Sequence, residues 1–497
     1  MDSIAPLPFS ERVCEQARLT RDARFDGLFF TAVKTTGIYC RPVCPAPTPH
    51  ARNVRYYASA AAAAAAGYRP CLRCRPEAAP GSPLHRARSE LVRAALRLIE
   101  DGALDRAPLA ALAARIGVGE RHLRRLFDAE LGASPQDVAA TRRLLFARQL
   151  LVETTMPVTA VAGAAGYASL RRFNAAFLDA HGKPPRELRR ARLRDAQAAA
   201  GGRPQAVHAN AIELILPYRP PYDFAALLSF YARRTIAGVE AVDAGCYRRS
   251  IVVDGKAALL EVDAAAKRDA LRLRVTGVSA PALGPLVARV RRMFDVDADP
   301  RAIGAALRRD AWLRPLVKRW PGQRLPGAWE GFELAVRAVL GQQVSVAAAR
   351  TLAARLVERF GTVHAESAAL GLGALFPTAA TLADAGIEAI GLPRARAAAI
   401  RAIARATADG HIGFGAEQTL ADFVTRLAAL PGIGAWTAHY IAMRALSQPD
   451  AFPAGDLVLR KLAGDGTPLG ERAMEARAEA WRPWRAYAVM LLWRSAP

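Results

Sequence analysis

Four of the six cysteines in this 497-residue chain lie between positions 40 and 74, and their spacing is the strongest constraint on the fold. Cys40-x3-Cys44 and Cys71-x2-Cys74 form two close pairs with 26 residues between them. Two such pairs can supply four thiolates to one tetrahedral zinc ion. The alternative is four unrelated buried thiols. Six cysteines are too few to cross-link a chain of this length by disulfides. We therefore expect a metal site in a reducing compartment and not a disulfide scaffold.

The charge of the chain predicts a polyanionic partner. Lys and Arg number 69 against 45 Asp and Glu, giving a net charge of +24, which suits nucleic acid or an anionic membrane surface. No apolar run approaches the roughly 18 residues that a membrane span needs. The N-terminus lacks the basic start and apolar core of a signal peptide. We therefore expect nucleic acid as the partner, no membrane association, and a cytoplasmic protein.

The residues around the cysteines resemble a known family. The segments KTTGIYCRPVC, from Lys34 to Cys44, and GYRPCLRCRPE, from Gly67 to Glu77, are similar to the zinc domain of Ada-type methylated-DNA response proteins. The resemblance implies that Cys40 irreversibly accepts a methyl group from a DNA methylphosphotriester, while the other three cysteines remain zinc ligands. Four thiolates around Zn²⁺ carry a net charge of −2, and methylation makes it −1, so repulsion from DNA phosphates falls.

The next segment follows a linker signal, Pro80-Gly81-Ser82-Pro83, and has helical spacing. Two helical hairpins, Leu109 to Phe127 and Val158 to Phe177, are joined by a long helix from Pro135 to Glu153. Together they resemble the AraC-type DNA-binding domain, whose second helices read a groove. The alternative is a helical bundle with solvated arginines. The arginines expected to face DNA are Arg121, Arg124, Arg171 and Arg172.

A second linker signal, Asp195 to His208, is followed by a mixed α+β segment. A helix is expected near Phe224 to Arg234. The expected strands, by their alternation, are Ile212 to Leu216, Tyr247 to Val253, Leu259 to Val262 and Leu271 to Val275. The segment resembles the N-terminal domain of AlkA-type DNA glycosylases.

The sequence Leu430-Pro431-Gly432-Ile433-Gly434 lies between two helical runs, Leu420 to Leu430 and Ala435 to Leu446, and indicates a helix-hairpin-helix. The two glycines, Gly432 and Gly434, let the backbone approach a ligand, and the N–H groups of the following helix suit a DNA phosphate. A nucleotide P-loop is the competing interpretation, but it requires Gly-Lys-Ser/Thr, which is absent.

Together with Gly341-Gln342-Gln343-Val344-Ser345 and Asp456, the hairpin resembles the HhH-GPD superfamily of base-excision glycosylases, in particular its AlkA branch. Such enzymes flip a damaged nucleotide out of the duplex. The resemblance implies that Gln343 fills the gap and that Asp456 is the catalytic aspartate, which stabilises oxocarbenium character on the deoxyribose. The alternatives are a helix-capping amide for Gln343 and a helix N-cap for Asp456.

Aromatic residues follow the hairpin. Trp436 stands where glycosylase/lyase members carry a lysine, which implies a monofunctional enzyme whose nucleophile is water. Trp436, Tyr440 and Trp493 match aromatic positions that line the AlkA-type pocket and favour a cationic base; ordinary core packing is the alternative. The last helix is expected to carry the residues from Trp481 to Tyr487. Because no cysteine lies beyond Cys246, we expect zinc as the metal and no iron–sulfur cluster.

The sequence thus predicts a multidomain, mainly α protein with α+β parts. The predicted domains are a four-cysteine zinc domain (1-80), an AraC-type double helix-turn-helix domain (84-192), an AlkA-type N-terminal α+β domain (209-325) and an all-α helix-hairpin-helix glycosylase domain (326-497). The predicted function, which the resemblances imply, is repair of and response to DNA alkylation by a nucleoid-associated protein. The expected partners are double-stranded DNA, both alkylated and promoter DNA, and RNA polymerase as a candidate, and the expected state is a monomer. The alternatives are a regulator with a weak or inactive glycosylase tail and an architectural DNA-binding protein. No Pro-Cys-His-Arg motif occurs, so we expect no transfer from guanine oxygen-6 lesions.

Overall fold

The computed structural model describes residues 7–81, 89–190, 211–363, 372–464 and 467–496. The chain forms two compact units, one of residues 1–218 with 267–288 and one of residues 219–266 with 289–497. The predicted fold class, multidomain and mainly helical with α+β parts, is confirmed. The linker predicted at 195–208 lies outside the described residues, as do the last two residues of the linker at 80–83.

The first unit contains a small four-stranded sheet near its N-terminus, after the helix Glu11–Leu19. Its strands lie in the order Val54–Tyr57, Phe30–Val33, Ile38–Cys40 and Arg69–Pro70, and the last two are parallel neighbours. The helix Ala60–Ala65 covers the sheet, and Phe30, Tyr39 and Tyr57 form the core with its alanines. Because parallel strands end at the same edge, this pairing brings the residues after Tyr39 and after Pro70 together.

Helices make up most of the rest of the first unit. The long helix Pro135–Glu153 starts at a capping box in which Ser134 and Asp137 bond reciprocally, with proline at its first position. The strand Ala211–Pro217 docks on this helix, since Gln149 donates to the Ile215 carbonyl at 2.9 Å, and that strand pairs antiparallel with Ala270–Thr276. Other α-helices in the described part of this unit include Glu11–Leu19, Glu90–Glu100, Ala103–Arg106, Leu109–Ile116, Glu120–Leu131, Val158–Ala164 and Leu170–His181.

The second unit contains an antiparallel meander of three strands, Glu240–Asp243, Cys246–Val253 and Lys256–Ala264. A buried ion-pair network joins it to the helix Gly331–Leu340. Arg249 reaches Glu333 on that helix at 3.1 Å, and Arg337 reaches Glu240 at 2.7 Å. Although burial opposes ionisation, the neighbouring Arg337 and Arg249 guanidinium groups hold the pKa of Glu240 below its ordinary value. The network fixes one helix of the second unit against its strands.

The second unit is otherwise mainly helical. Leu420–Ala428 and Ala435–Ala445 are the two helices of the predicted helix-hairpin-helix. The other α-helices in the described part of this unit are Phe224–Ala232, Pro300–Leu307, Leu313–Arg319, Val346–Phe360, Ala379–Ala383, Arg394–Ala408, Leu457–Ala463, Glu471–Ala478 and Arg485–Ser495. A further helix, Leu283–Met293, begins in the first unit and ends in the second.

One element differs from expectation. The last helix begins at Arg485, so Trp481 to Trp484 precede it and Trp481 closes a 3-10 turn. Pro483 explains the difference, because proline disfavours a helical conformation at the residue before it and has no N–H to donate. The strands predicted in the α+β segment are all present, each extended by one or more residues. Among the described residues, no helix has both the length and the apolar character to cross a membrane.

Candidate functional site

The four clustered cysteines come together at the edge of the small sheet. Cys40 ends the strand Ile38–Cys40, and the Cys71 N–H donates to the Tyr39 carbonyl at 2.9 Å. All four Sγ atoms lie within 4.8 Å of one another, and those of Cys44 and Cys71 are 3.9 Å apart. Tetrahedral zinc with Zn–S bonds of about 2.3 Å requires sulfurs about 3.8 Å apart. The residues present therefore fit one zinc ion.

The thiols also interact electrostatically. Hydrogen bonding to Cys44 raises the pKa of Cys40, whereas hydrogen bonding to Cys40 lowers the pKa of Cys44 to about 7 and holds that of Cys71 well below its ordinary value. Zinc binds cysteine as the thiolate, so the binding of a divalent cation would release the protons that these thiols hold. Backbone N–H groups support the sulfurs, since Arg41 donates to Cys74 Sγ at 3.3 Å and Arg73 to Cys71 Sγ at 3.4 Å.

A cavity of about 630 Å³ opens beside the cysteine cluster. Cys40 and Cys44 line it and are half-buried, while Cys74 is buried and does not line it. His181, at the end of helix Leu170–His181, and Lys183 also line this cavity. Cys40 is thus accessible to a ligand of the size of a phosphate ester.

Sequence reasoning missed a buried contact between the cysteine loop and the long helix Pro135–Glu153. Arg148, only 1% exposed, donates to the carbonyls of Cys71 and Leu72 at 2.9 and 3.2 Å. Its guanidinium also lies 3.1 Å from the Glu77 carboxylate, which is itself buried. No pattern in the sequence distinguishes Arg148 from its neighbour Arg143, because the difference lies in which side of the helix the loop packs against.

The four arginines expected to face DNA are all exposed. Arg121 and Arg124 lie on the outer face of Glu120–Leu131, and Arg171 and Arg172 lie at the start of Leu170–His181. On the opposite faces of these helices Leu123, Phe127, Phe173 and Phe177 are buried. Each second helix therefore presents a basic face to solvent and an apolar face to the core.

In the second unit, the two hairpin glycines serve different purposes. Gly432 has φ +78°, and a Cβ there would lie 2.9 Å from the Ala399 Cβ. Gly434 is the N-cap residue of Ala435–Ala445 with an ordinary φ of −88°, and a Cβ there would meet nothing within 4 Å. The first glycine is required by the fold, whereas the second leaves open space beside the helix N-terminus, where an anion is favoured.

Asp456 is buried and its carboxylate accepts three hydrogen bonds. Oδ1 accepts from the Leu459 N–H at 3.0 Å, which makes Asp456 the N-cap of Leu457–Ala463. Oδ2 accepts from the Trp436 indole N–H at 2.9 Å, and Oδ1 also accepts from the Trp493 indole N–H at 3.2 Å. The N-cap alternative is thus present, together with two contacts that capping does not require.

The three predicted pocket aromatics adjoin one another. Trp436 and Tyr440 stack with ring centroids 5.5 Å apart and an interplanar angle of 6°, and Trp493 lies 6.2 Å from Tyr440. Arg444 donates to the Tyr440 hydroxyl at 2.7 Å. Although burial alone would raise it, the pKa of Tyr440 is lowered by Arg444 and Arg234. The aromatic faces and the Asp456 carboxylate therefore form one continuous cluster. Arg444 belongs to this cluster through Tyr440, and the sequence analysis did not predict it.

Gln343 is exposed and has φ +57°, a left-handed conformation in the turn after Gly331–Leu340. It does not cap a helix; the N-cap of the following helix Val346–Phe360 is Ser345. The preceding residue, Gln342, donates from its side-chain amide to the Gly432 carbonyl and to Thr437 Oγ1, each at 3.1 Å. The exposed turn that carries Gln343 is thus attached to the hairpin.

Four family models match the chain in order. The metal binding domain of Ada matches residues 13–77, and a helix-turn-helix domain matches residues 112–191. The AlkA N-terminal domain matches residues 213–330, and the HhH-GPD superfamily base excision DNA repair protein matches residues 336–486. The four resemblances found in the sequence are therefore confirmed, while the domain limits remain a prediction.

Curated relatives cover both halves of the chain. The Escherichia coli DNA-3-methyladenine glycosylase 2 is 33% identical over 56% of this chain and 95% of its own length. The Escherichia coli bifunctional transcriptional activator/DNA repair enzyme Ada is 44% identical over 24% of this chain and 33% of its own length. A probable bifunctional transcriptional activator/DNA repair enzyme AlkA from Mycobacterium tuberculosis is 42% identical over 97% of this chain and 95% of that protein. The chain belongs to this family of bifunctional fusions, in which an Ada-type zinc domain and a helix-turn-helix domain precede an AlkA-type HhH-GPD glycosylase.

Proposed function

We propose that the second unit is a monofunctional DNA glycosylase that hydrolyses the N-glycosidic bond of alkylated purines such as 3-methyladenine and 7-methylguanine. The observation that carries the proposal is the Asp456 carboxylate, held by the indole N–H groups of Trp436 and Trp493 beside the stacked rings of Trp436 and Tyr440. An electron-rich stack favours a cationic base. A fixed carboxylate stabilises positive charge that develops on the sugar.

The reaction that these groups support needs no general acid. The bond between C1′ and the base nitrogen breaks, and its electron pair neutralises the cationic base, which leaves. Asp456 stabilises the oxocarbenium character left on the deoxyribose. Water then adds at C1′ and its proton passes to solvent. Because Trp436 has no amine, no Schiff base with the sugar forms and the DNA strand stays intact.

The test is base release from alkylated duplex DNA by the full chain and by Asp456→Asn. Asparagine is as good an N-cap as aspartate, so helix Leu457–Ala463 is retained while the charge is lost. We expect a loss of about a hundredfold or more in single-turnover rate, as for removal of one electrostatic stabiliser. Asp409→Asn, a change at an exposed C-cap, is the matched control and should leave the rate unchanged. Equal inactivity of wild type and Asp456→Asn would favour a regulator with an inactive glycosylase tail.

We also propose that the first unit is a single-turnover methyl acceptor. Cys40 lines the cavity, is half-buried and belongs to the four-cysteine cluster. Its thiolate would attack the methyl carbon of a neutral methylphosphotriester; the S–C bond forms, the C–O bond breaks, and a phosphodiester anion leaves. Zinc, held by Cys40, Cys44, Cys71 and Cys74, would supply the positive charge that keeps four adjacent thiols deprotonated.

Mass spectrometry after exposure to DNA containing methylphosphotriesters tests this proposal. An increase by the mass of one methylene group is expected on Cys40 and should be absent from Cys40→Ser, because a methyl group replaces the thiol hydrogen. Cys14→Ala is the matched control, since burial raises the pKa of that thiol to about 11 and Cys14 is fully buried outside the cluster. A methyl group on none of the four clustered cysteines would refute the proposal. Metal analysis should give one zinc per chain and no iron.

A sequence-specific regulator is the third proposed activity. The basic faces that carry Arg121, Arg124, Arg171 and Arg172 suit two successive major-groove contacts. Footprinting on a defined promoter, with and without methylated Cys40, should show protection that strengthens on methylation, because the cluster loses one negative charge. Protection without sequence preference would instead indicate an architectural protein. Co-purification with RNA polymerase and a monomeric mass in solution are further expectations of this proposal.

A further inference from the structure

Gln342 connects two parts of the glycosylase unit that contact DNA in the proposed function. Its side-chain nitrogen donates one hydrogen to the Gly432 carbonyl and the other to Thr437 Oγ1, each at 3.1 Å. Thr437 is buried in the first turn of Ala435–Ala445. Both side-chain amide hydrogens of Gln342 are therefore donated to the hairpin and to the helix that follows it.

The backbone of the same residue is held from a third direction. The Arg396 guanidinium, on helix Arg394–Ala408, donates to the Gln342 carbonyl at 3.1 Å. This helix also packs against the hairpin, because a Cβ at Gly432 would lie 2.9 Å from the Ala399 Cβ. Gln342 is thus fixed against both the hairpin and the helix behind it.

The adjacent Gln343 has the opposite character. Its side chain is exposed, and its backbone has φ +57°, a conformation that costs a non-glycine residue about 1 kcal/mol or more. A strained exposed residue keeps one orientation only when its neighbours hold the turn. Among the contacts of the described residues, those of Gln342 attach this turn to the hairpin.

We infer that Gln342 is a positioning residue, which fixes the exposed Gln343 turn relative to the phosphate-binding hairpin so that the duplex is opened next to a clamped backbone. The inference rests on the proposed glycosylase function. Extruding a paired nucleotide costs a few kcal/mol, and this cost falls when the base is unpaired. Loss of the Gln342 contacts should consequently slow excision of paired lesions and spare lesions that are already unpaired.

The decisive substitution is Gln342→Glu. A glutamate has nearly the same shape but offers no hydrogen, so its carboxylate oxygens face the Gly432 carbonyl without a bond. The matched control is Gln418→Glu, because Gln418 likewise donates from its amide to loop carbonyls, those of Gly413 and Gly415 at 2.7 and 3.2 Å, within the same unit. Gln342→Ala provides a second variant that removes the contacts without adding a charge.

The experiment measures single-turnover excision of one alkylated purine from two DNAs, a fully paired duplex and a duplex with the lesion in a one-nucleotide bulge. Both Gln342 variants should excise the paired lesion about tenfold more slowly than wild type, as expected for one lost hydrogen-bonding group, and the bulged lesion within about twofold. Gln418→Glu should match wild type on both. Fluorescence of 2-aminopurine beside the lesion should show less unstacking with the Gln342 variants.

The outcomes separate the inference from the function on which it rests. Equal slowing on paired and bulged DNA, or no slowing on either, would overturn the role of Gln342. If Gln342→Glu unfolds, Gln342→Ala with its paired-to-bulged rate ratio decides the question. If wild type releases the base from neither DNA, the glycosylase proposal itself fails.

Discussion

The indole N–H of Trp436 donates a hydrogen bond to Asp456 Oδ2 at 2.9 Å. Trp436 is the second residue of the helix that follows the hairpin, and Asp456 is the N-cap of Leu457–Ala463. The position that carries a lysine in lyase members therefore holds a hydrogen-bond donor directed at the carboxylate. Under the proposed function, Trp436 offers no amine for a Schiff base and also orients the carboxylate that we propose to stabilise the sugar.

Trp436→Phe should separate these contributions, because phenylalanine keeps an aromatic face and loses the donor. A hydrogen bond to a charged group contributes about 1.5–3 kcal/mol, which corresponds to roughly a ten- to hundredfold loss of single-turnover rate. Substrate affinity should fall much less. Trp484→Phe, a half-buried tryptophan at the start of the last helix, is the control. Equal small effects of the two changes would show that the indole N–H does not act on Asp456.

Much of this site could be predicted from the sequence, because its parts are local. The hairpin, the four cysteines and the long helix Pro135–Glu153 follow from glycine placement, spacing and periodicity, each within one short segment. The predicted aromatics Trp436 and Trp493 do contact Asp456, and Tyr440 contacts both of their rings. The resemblance placed them together; periodicity alone does not distinguish a pocket ring from a core ring.

The contacts that hold the site could not be predicted. Arg148 reaches Cys71 and Leu72 across more than seventy residues, and Gln342 reaches Gly432 across ninety. The local sequence around an arginine or a glutamine does not show whether its side chain is buried, because tertiary packing determines its partners. The predicted start of the last helix was wrong for a different reason. The prediction placed Trp481 to Tyr487 in one helix, whereas Pro483 disfavours a helical conformation at the residue before it.

The buried Arg148–Glu77 pair leads to a stability prediction. Arg148→Met removes two hydrogen bonds to the cysteine loop and one of the two ion pairs of Glu77 among the described residues, so that Arg75, 3.1 Å away, is the ion-pair partner that stays. Breaking a buried ion pair by removing one partner costs about 3 kcal/mol or more. Urea unfolding of the zinc-loaded protein and the rate of zinc release should both show the loss.

The double variant Arg148→Met/Glu77→Gln is the control for this prediction. It removes the charge of the carboxylate that has lost Arg148, so part of the lost stability should return, and the two single changes should not add. Additive effects would mean that Arg148 and Glu77 do not interact, and that the loop is held by other contacts.

His181 predicts a pH dependence of the first unit. Burial, with the nearby Arg148 charge, lowers the pKa of His181 to about 4 from 6.5, and its Nδ1 donates to the Phe177 carbonyl at 3.2 Å. The unfolded chain thus binds more protons between these values, so stability is present above pH 6.5 and is lost as the pH falls towards 4. Between pH 7.5 and 5.5 the loss should be on the order of 1 kcal/mol.

Urea unfolding at both pH values, with zinc present, measures this loss. His181→Gln removes the titrating group, so its stability should change less over the same interval. His439 in the second unit, whose pKa burial also lowers to about 4, gives an independent comparison through His439→Gln. An unchanged pH slope in His181→Gln would assign the acid sensitivity to other groups.

Alanine at the two hairpin glycines should affect different properties, stability at Gly432 and DNA affinity at Gly434. Gly432→Ala places a Cβ 2.9 Å from the Ala399 Cβ in a left-handed conformation, with φ +78°, so it should lower the free energy of unfolding by about 1 kcal/mol or more. Gly434→Ala meets no atom within 4 Å and has φ −88°, so the fold should tolerate it. Its methyl group would nevertheless occupy the space beside the helix N-terminus that we assign to a DNA phosphate. Duplex affinity should therefore fall several-fold in Gly434→Ala at unchanged melting temperature, whereas an unchanged affinity would exclude close backbone contact with DNA at this position.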